Sequence, residues 1–126
     1  MFEIWKPILN GWYEVSSLGR VRSVDRVTHD GRRWKGRVLK PAPSGNTRLM
    51  FNASVNGKKS TPCVHALVAL KFLGPRPRGL VINHKDGNYL NNAASNLEYT
   101  TTAKNAKHAA ALGLMPTKAN GRWHRP

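Results

Sequence analysis

A single cysteine, Cys63, stands among 126 residues, so no disulfide can form within the chain, and a zinc site built on paired cysteines is excluded. That scarcity suits a reducing compartment. Acids are scarce too: six Asp and Glu face 21 Lys and Arg, a formal charge of +15. No apolar run reaches the ~20 residues that a membrane span requires. The opening "MFEIWKPILNGWYEV" has neither the basic start nor the long apolar core of a secretory signal.

What is abundant is positive charge, with a pI of 11.0. Such a field draws polyanions and displaces counterions from phosphate backbones, so nucleic acid is the expected partner. The basic residues run along the whole chain instead of lining one helix face, which argues against a membrane-surface anchor. An RNA-binding structural protein remains an alternative at this level.

Length fits one compact domain or two small lobes sharing a core. The first half reads as short, half-buried strands: "WYEVSS" ending in a turn at "SLG", then "RVRSVDRV", "RVLK", "TRLMFNASV" and "KKSTPCV". Asn56-Gly57 between the last two predicts a tight hairpin. The period then changes. In "VHALVALKFLG", Val64, Leu67, Val68 and Phe72 recur at helical spacing before Gly74-Pro75 stops the run. "GPRPRG" is a stiff basic linker. "LVIN" and "SNLEYTT" are extended, and Ala-rich "TAKNAKHAAALG" is a helix ending at Gly113.

From Val81 the order is therefore strand, loop, strand, helix, and the loop is crowded with Asn88, Asn91, Asn92 and Asn96 around His84 and Asp86. A histidine closing a strand is suited to phosphodiester hydrolysis, because its unperturbed pKa lies nearest neutrality. "INHKDGNYLNNAASNLEYTTTAKNAKH" resembles the HNH endonuclease motif, in the phage and intron-encoded branch reading "VxHxDGNxxNNxxxNLxxxTxxxN". "WKPI", "WYEVSSLGRVRS", "GRVLKP" and "VHALVALKFLG" resemble the NUMOD4-like motif region preceding the nuclease in that branch. The ordered set covers residues 4–113.

The resemblance implies an α+β fold, with a small N-terminal antiparallel β lobe over residues 1–62 that contacts DNA. A ββα-metal nuclease core would follow over 63–113 and a basic tail over 114–126. It implies that His84 is the general base and that Asn96 braces the loop orienting it. Asn83 and Asn105 fall at the positions of the metal ligands, for Mg²⁺ or alternatively Mn²⁺. Asn83 departs from relatives that carry Asp there, and a neutral amide holds Mg²⁺ more weakly than a carboxylate. With two amides the protein offers the cation no charge, so the ion is expected to depend on DNA phosphates and water. Asp86, Gly87 and Asn88 read as turn chemistry, and Asn91 and Asn92 as loop braces. A zinc site from Cys63, His65, His84 and His108 matches no regular ligand spacing.

Arg20, Arg22, Arg26, Arg32, Arg33, Lys35 and Arg37, with His65, Lys85, Lys104 and His108, are the candidates to contact DNA. His65 is also a candidate for a structural role. His108 lies one helical turn beyond Asn105 and shares its face. Trp12 and Tyr13 read as core or lobe-closing aromatics. The expected activity is cleavage of double-stranded DNA by a phage-encoded homing endonuclease. A monomer would nick, and two copies meeting on the duplex would cut both strands. The rival reading is a phage DNA-binding or nuclease-modulating protein that keeps the fold without catalysis.

Overall fold

Alternation in "WYEVSS" and "RVRS" produces an antiparallel three-stranded sheet in the computed structural model, which describes residues 2–28, 30–45 and 47–111. Its strands are β1 (Trp5–Ile8), β2 (Tyr13–Ser16) and β3 (Val21–Ser23), with Val15 opposite Val21 and both fully buried. Three hairpins follow. They pair β4 (Arg26–Val27) with β5 (Arg33–Trp34), β6 (Ala42–Ser44) with β7 (Arg48–Met50), and β8 (Ala53–Val55) with β9 (Lys58–Ser60). Asn56 and Gly57 turn the last of these with φ of 51° and 79°, as a primed hairpin turn requires.

Helix α1 (Val64–Phe72) comes next, then β10 (Val81–His84) paired antiparallel with β11 (Leu97–Thr100), then helix α2 (Thr102–Ala111). α1 packs on β2 and β7 on one side and on β10 and β11 on the other. One buried cluster therefore joins both halves of the chain: Ile8, Tyr13, Val15, Val21, Phe51 and Ala53 meet Val64, Val68, Ala69 and Leu97. The Tyr13 hydroxyl accepts from the Ser54 amide at 2.9 Å, tying β2 to β8. The Tyr99 hydroxyl donates to the Gly74 carbonyl at 2.7 Å, tying β11 to the end of α1. Among the described residues no helix is long and apolar enough to cross a membrane. Residues 112–126, including the expected helix end at Gly113 and the basic tail, lie outside the described residues.

Three strand expectations are corrected, and one strand was not foreseen. "WKPI" is a strand, although Pro7 has no amide to give; among the described residues β1 is paired only with β2, where an edge tolerates it. "RVRSVDRV" breaks between β3 and β4, because the Val24 amide turns to the Trp12 carbonyl at 3.1 Å. "RVLK" forms no strand, only a single bridge from Val38 to Arg22. "TRLMFNASV" splits into β7 and β8 at Phe51, which turns into the core while its amide bonds the Pro62 carbonyl. Each break sits where tertiary contacts redirect a backbone group that local alternation would have placed in a ladder.

Candidate active site

Strand alternation sets the two faces of the β10–β11 hairpin. Ile82 and His84 share a face with Tyr99 and Leu97, and Leu97 is in the core. His84 is thereby turned toward α1, where its ring lies 5.4 Å from that of His65. Its Nε2 is 2.7 Å from Asn92 Oδ1. An amide oxygen only accepts, so Nε2 carries the proton and Nδ1 is the basic nitrogen. Asn92 is 3% exposed, which makes it a fixed support. Its bond to the histidine was not legible in the sequence, where it read as a loop brace. The doublet Asn91-Asn92 gave no signal as to which amide turns inward.

The remaining amides hold the loop. Asn96 Oδ1 accepts from the Asp86 amide at 3.1 Å, and its Nδ2 donates to Asp86 Oδ1 at 2.9 Å and the Asn91 carbonyl at 2.8 Å. Asp86 also takes the Asn88 amide at 2.8 Å and the Asn91 side chain at 2.9 Å. Burial raises the Asp86 carboxyl, but the hydrogen bonds from Asn91, Asn88 and Asn96 outweigh it and lower its pKa. The expected turn role of Asp86 is thus joined to a second one, as the hub of the loop. Asn96→Asp keeps the acceptor but aims a second oxygen at Asp86 and at the Asn91 carbonyl. We expect about 3 kcal/mol of stability to be lost at pH 7, read from urea unfolding. An unchanged midpoint would refute the bracing role.

His65, the second residue of α1, is half-buried, and its Nδ1 is buried with no hydrogen-bond partner among the described residues. Burial, then His84 and Arg48, push its pKa down to about 4. It is therefore neutral in the folded protein while an unfolded chain protonates it near pH 6.5. The unfolded state binds the extra proton, so stability falls as pH drops from about 6.5 toward 4. Between pH 7.5 and pH 5 we expect a loss of about 1–2 kcal/mol by urea unfolding, allowing for partial exposure. His65→Phe should flatten that slope; an equally steep slope in the variant would assign the loss to another group.

A turn from the N-terminal sheet presses on this loop. Ser16 Oγ, fully buried, accepts from the Leu18 and Arg20 amides and shapes "SSLGR". The Ser17 carbonyl then accepts from the Ala94 amide at 2.8 Å. Gly19 (φ 86°) lies so close that an added Cβ would stand 2.6 Å from the Asn92 carbonyl carbon. The segment that supports His84 is thus clamped from outside its own motif.

Asn83 lies on the other face of the hairpin, directly opposite Glu98, and its Nδ2 donates to Glu98 Oε1 at 3.1 Å. Asn83 is 6% exposed. Helix α2 also packs on β10. Among the α2 side chains that are described, Asn105, Ala106 and His108 are half-buried. Among the described residues no three His, Cys, Asp or Glu side chains group closely enough to hold a metal ion. The Asn83 amide and the Glu98 carboxylate supply oxygen donors here, a set that fits a hard, water-rich divalent cation.

The basic candidates divide by environment. Arg20 pairs with Glu3, holding that carboxyl down to about 2, and Arg22 pairs with Glu14 at 2.7 Å. Both guanidinium groups lie over Trp5. Arg26 lies over Trp12 at 4.4 Å and near Trp34 at 5.9 Å, so Trp12 closes the lobe through a cation–π contact. Arg32 pairs with Asp30 at 3.3 Å. Arg33, Lys35 and Arg37 are exposed, as are Lys85 beside His84 and Lys104 on α2.

Comparison with known proteins bears on both parts of this arrangement. Residues 3–44 match the family model described as NUMOD4 motif, and residues 63–107 match the one described as HNH endonuclease. The DNA endonuclease I-HmuI of Bacillus phage SP01 is 35% identical over 113 residues, covering 88% of this chain and 60% of that protein. An uncharacterised HNH endonuclease of Acanthamoeba polyphaga mimivirus is 39% identical over 111 residues, covering 87% of this chain and 31% of the relative. The chain thus spans less than two thirds of the length of these relatives. A solved structure of I-HmuI, titled for DNA binding and cleavage by that HNH homing endonuclease, superposes with a TM-score of 0.69. It is 31% identical and covers 92% of this chain and 63% of the solved one.

Proposed function

Since the chain belongs to the HNH endonuclease family, with a NUMOD4 motif ahead of the nuclease motif, we propose that it is a homing-type DNA endonuclease that hydrolyses phosphodiester bonds with a divalent cation. The observation that carries this reading is the His84–Asn92 bond, which sets a histidine with a basic Nδ1 at the end of a rigid strand. Nδ1 takes the proton of a water positioned in line with a phosphorus, and Asn92 steadies the imidazolium that forms. Asn83 and Asn105 would hold the cation through their amide oxygens. When bound, a Mg²⁺-type ion stabilises charge on the scissile phosphate and on the departing 3′ oxygen. Resemblance to the family supports 5′-phosphate and 3′-hydroxyl ends.

Lys85 and Lys104, exposed beside the hairpin, and Arg33, Lys35 and Arg37 on the N-terminal part are placed to meet phosphates of double-stranded DNA. Arg20, Arg22 and Arg32 are held by carboxylates and reach phosphate only if those pairs open. One site per molecule makes nicking the expected product of a monomer. The phage protein among the relatives supports action in a bacterial host cell.

The test is supercoiled plasmid incubated with the full chain and Mg²⁺ or Mn²⁺, with an EDTA control and the His84→Ala variant. Cation-dependent nicking that disappears in the variant supports the enzyme. Plasmid binding without nicking under either cation would favour a non-catalytic DNA-binding protein, a reading that the amide-rich donor set keeps open.

A further inference from the structure

Negative charge is what the cation site lacks, and the chain has six acids from which to draw it. Five are committed elsewhere. Glu3, Glu14 and Asp30 pair with Arg20, Arg22 and Arg32. Asp25 takes the Gly36 amide, and Asp86 is wrapped by Asn88, Asn91 and Asn96. The sixth is Glu98, whose carboxylate has Asn83 as its hydrogen-bond partner among the described residues.

We infer that Glu98 is a ligand of the cation, presented across the β10–β11 pair beside the Asn83 amide oxygen. This rests on the nuclease reading above and names the charge that reading leaves out. A carboxylate only accepts, so Asn83 gives Nδ2 to Glu98, and that bond leaves its Oδ1 as a second oxygen donor. Directly opposed residues of an antiparallel pair have Cβ atoms about 4.5–5.5 Å apart, close enough for both side chains to reach one ion. The bond to the carboxylate also polarises the amide and makes Oδ1 a better ligand. Asn83 and Glu98 together thus offer one charge and two oxygens, as a single Asp at position 83 would. Asn105 is half-buried on helix α2, which packs on β10.

The alternative is that Glu98 only holds Asn83 in place. Glu98→Gln separates the two, since the Gln oxygen still accepts from Asn83 while the charge is gone. The probe is Mn²⁺ alone, titrated into the ¹⁵N-labelled full chain, with paramagnetic broadening of each amide signal as the readout. In the wild type, residues 82–84 and 97–99 should broaden first. Glu98→Gln should need about tenfold more Mn²⁺ or beyond, with an unchanged unfolding midpoint. The double variant Asn83→Asp with Glu98→Gln reverses donor and acceptor, keeps one carboxylate, and should recover most of the affinity.

Unchanged broadening in Glu98→Gln, or broadening centred away from the hairpin in the wild type, would overturn the inference. A double variant no better than Glu98→Gln would also count against it. Plasmid nicking run in parallel keeps the two failures apart. Nicking that depends on His84 together with a Glu98-independent Mn²⁺ site removes only this inference. A Glu98-dependent site in a protein that never nicks removes the nuclease reading instead.

Discussion

His84→Ala should lower cation-dependent plasmid nicking by about 10²–10⁴-fold, the usual contribution of a positioned general base. Nδ1 is the basic nitrogen because Asn92 occupies Nε2. His65, with its ring 5.4 Å away, is a poor substitute, because burial keeps its Nδ1 from solvent and from any described partner. DNA binding should persist, since the exposed Arg33, Lys35, Arg37, Lys85 and Lys104 are untouched. Stability should change little, because the Asp86–Asn96 network holds the loop without the imidazole. The measurement pairs initial nicking rates with a gel-shift titration and a melting curve. A variant that nicks at the wild-type rate would show that His84 is not the base.

Gly19→Ala should be almost as damaging from a position outside the nuclease motif. The substitution carries two costs. A φ of 86° strains any residue with a Cβ, and here the new Cβ would also lie 2.6 Å from the Asn92 carbonyl carbon and 2.8 Å from its oxygen. Both obstacles are backbone, so relief requires moving the segment that anchors His84. We expect about 2–4 kcal/mol of lost stability and a fall in nicking rate that survives correction for the unfolded fraction. Gly11→Ala is the control: its φ is 82°, yet nothing lies within 4 Å of the added atom. It should lose only about 1–2 kcal/mol and keep its activity. Equal losses in the two variants would mean that the clamp on Asn92 has no bearing on the site.

The contrast between these two residues shows where sequence reasoning reached and where it stopped. His84 was legible because strand, turn and helix signals follow one another in a fixed order around it. Asp-Gly and Asn-Gly turns, the α1 periodicity and the Ala-rich run are local effects of backbone preference, and each lies where the sequence placed it, the Ala-rich run as far as Ala111. Strand limits were less legible. Val24 and Phe51 have strand-like residue types, but their amides bond the Trp12 and Pro62 carbonyls across the fold, and Val38 makes a single bridge in place of a strand.

By itself, the sequence determined the α+β order, the basic surface and the histidine set among asparagines. The tertiary structure alone decided which of those asparagines does what. Asn92 turns inward to His84, Asn96 wraps Asp86, and Asn83 bonds Glu98, although the three amides are chemically alike. A side chain's partner depends on what the fold places within about 3 Å of it. Residues such as Gly19 and Glu98 enter the site from a distant turn and a facing strand, and periodicity along one segment carries no record of such encounters.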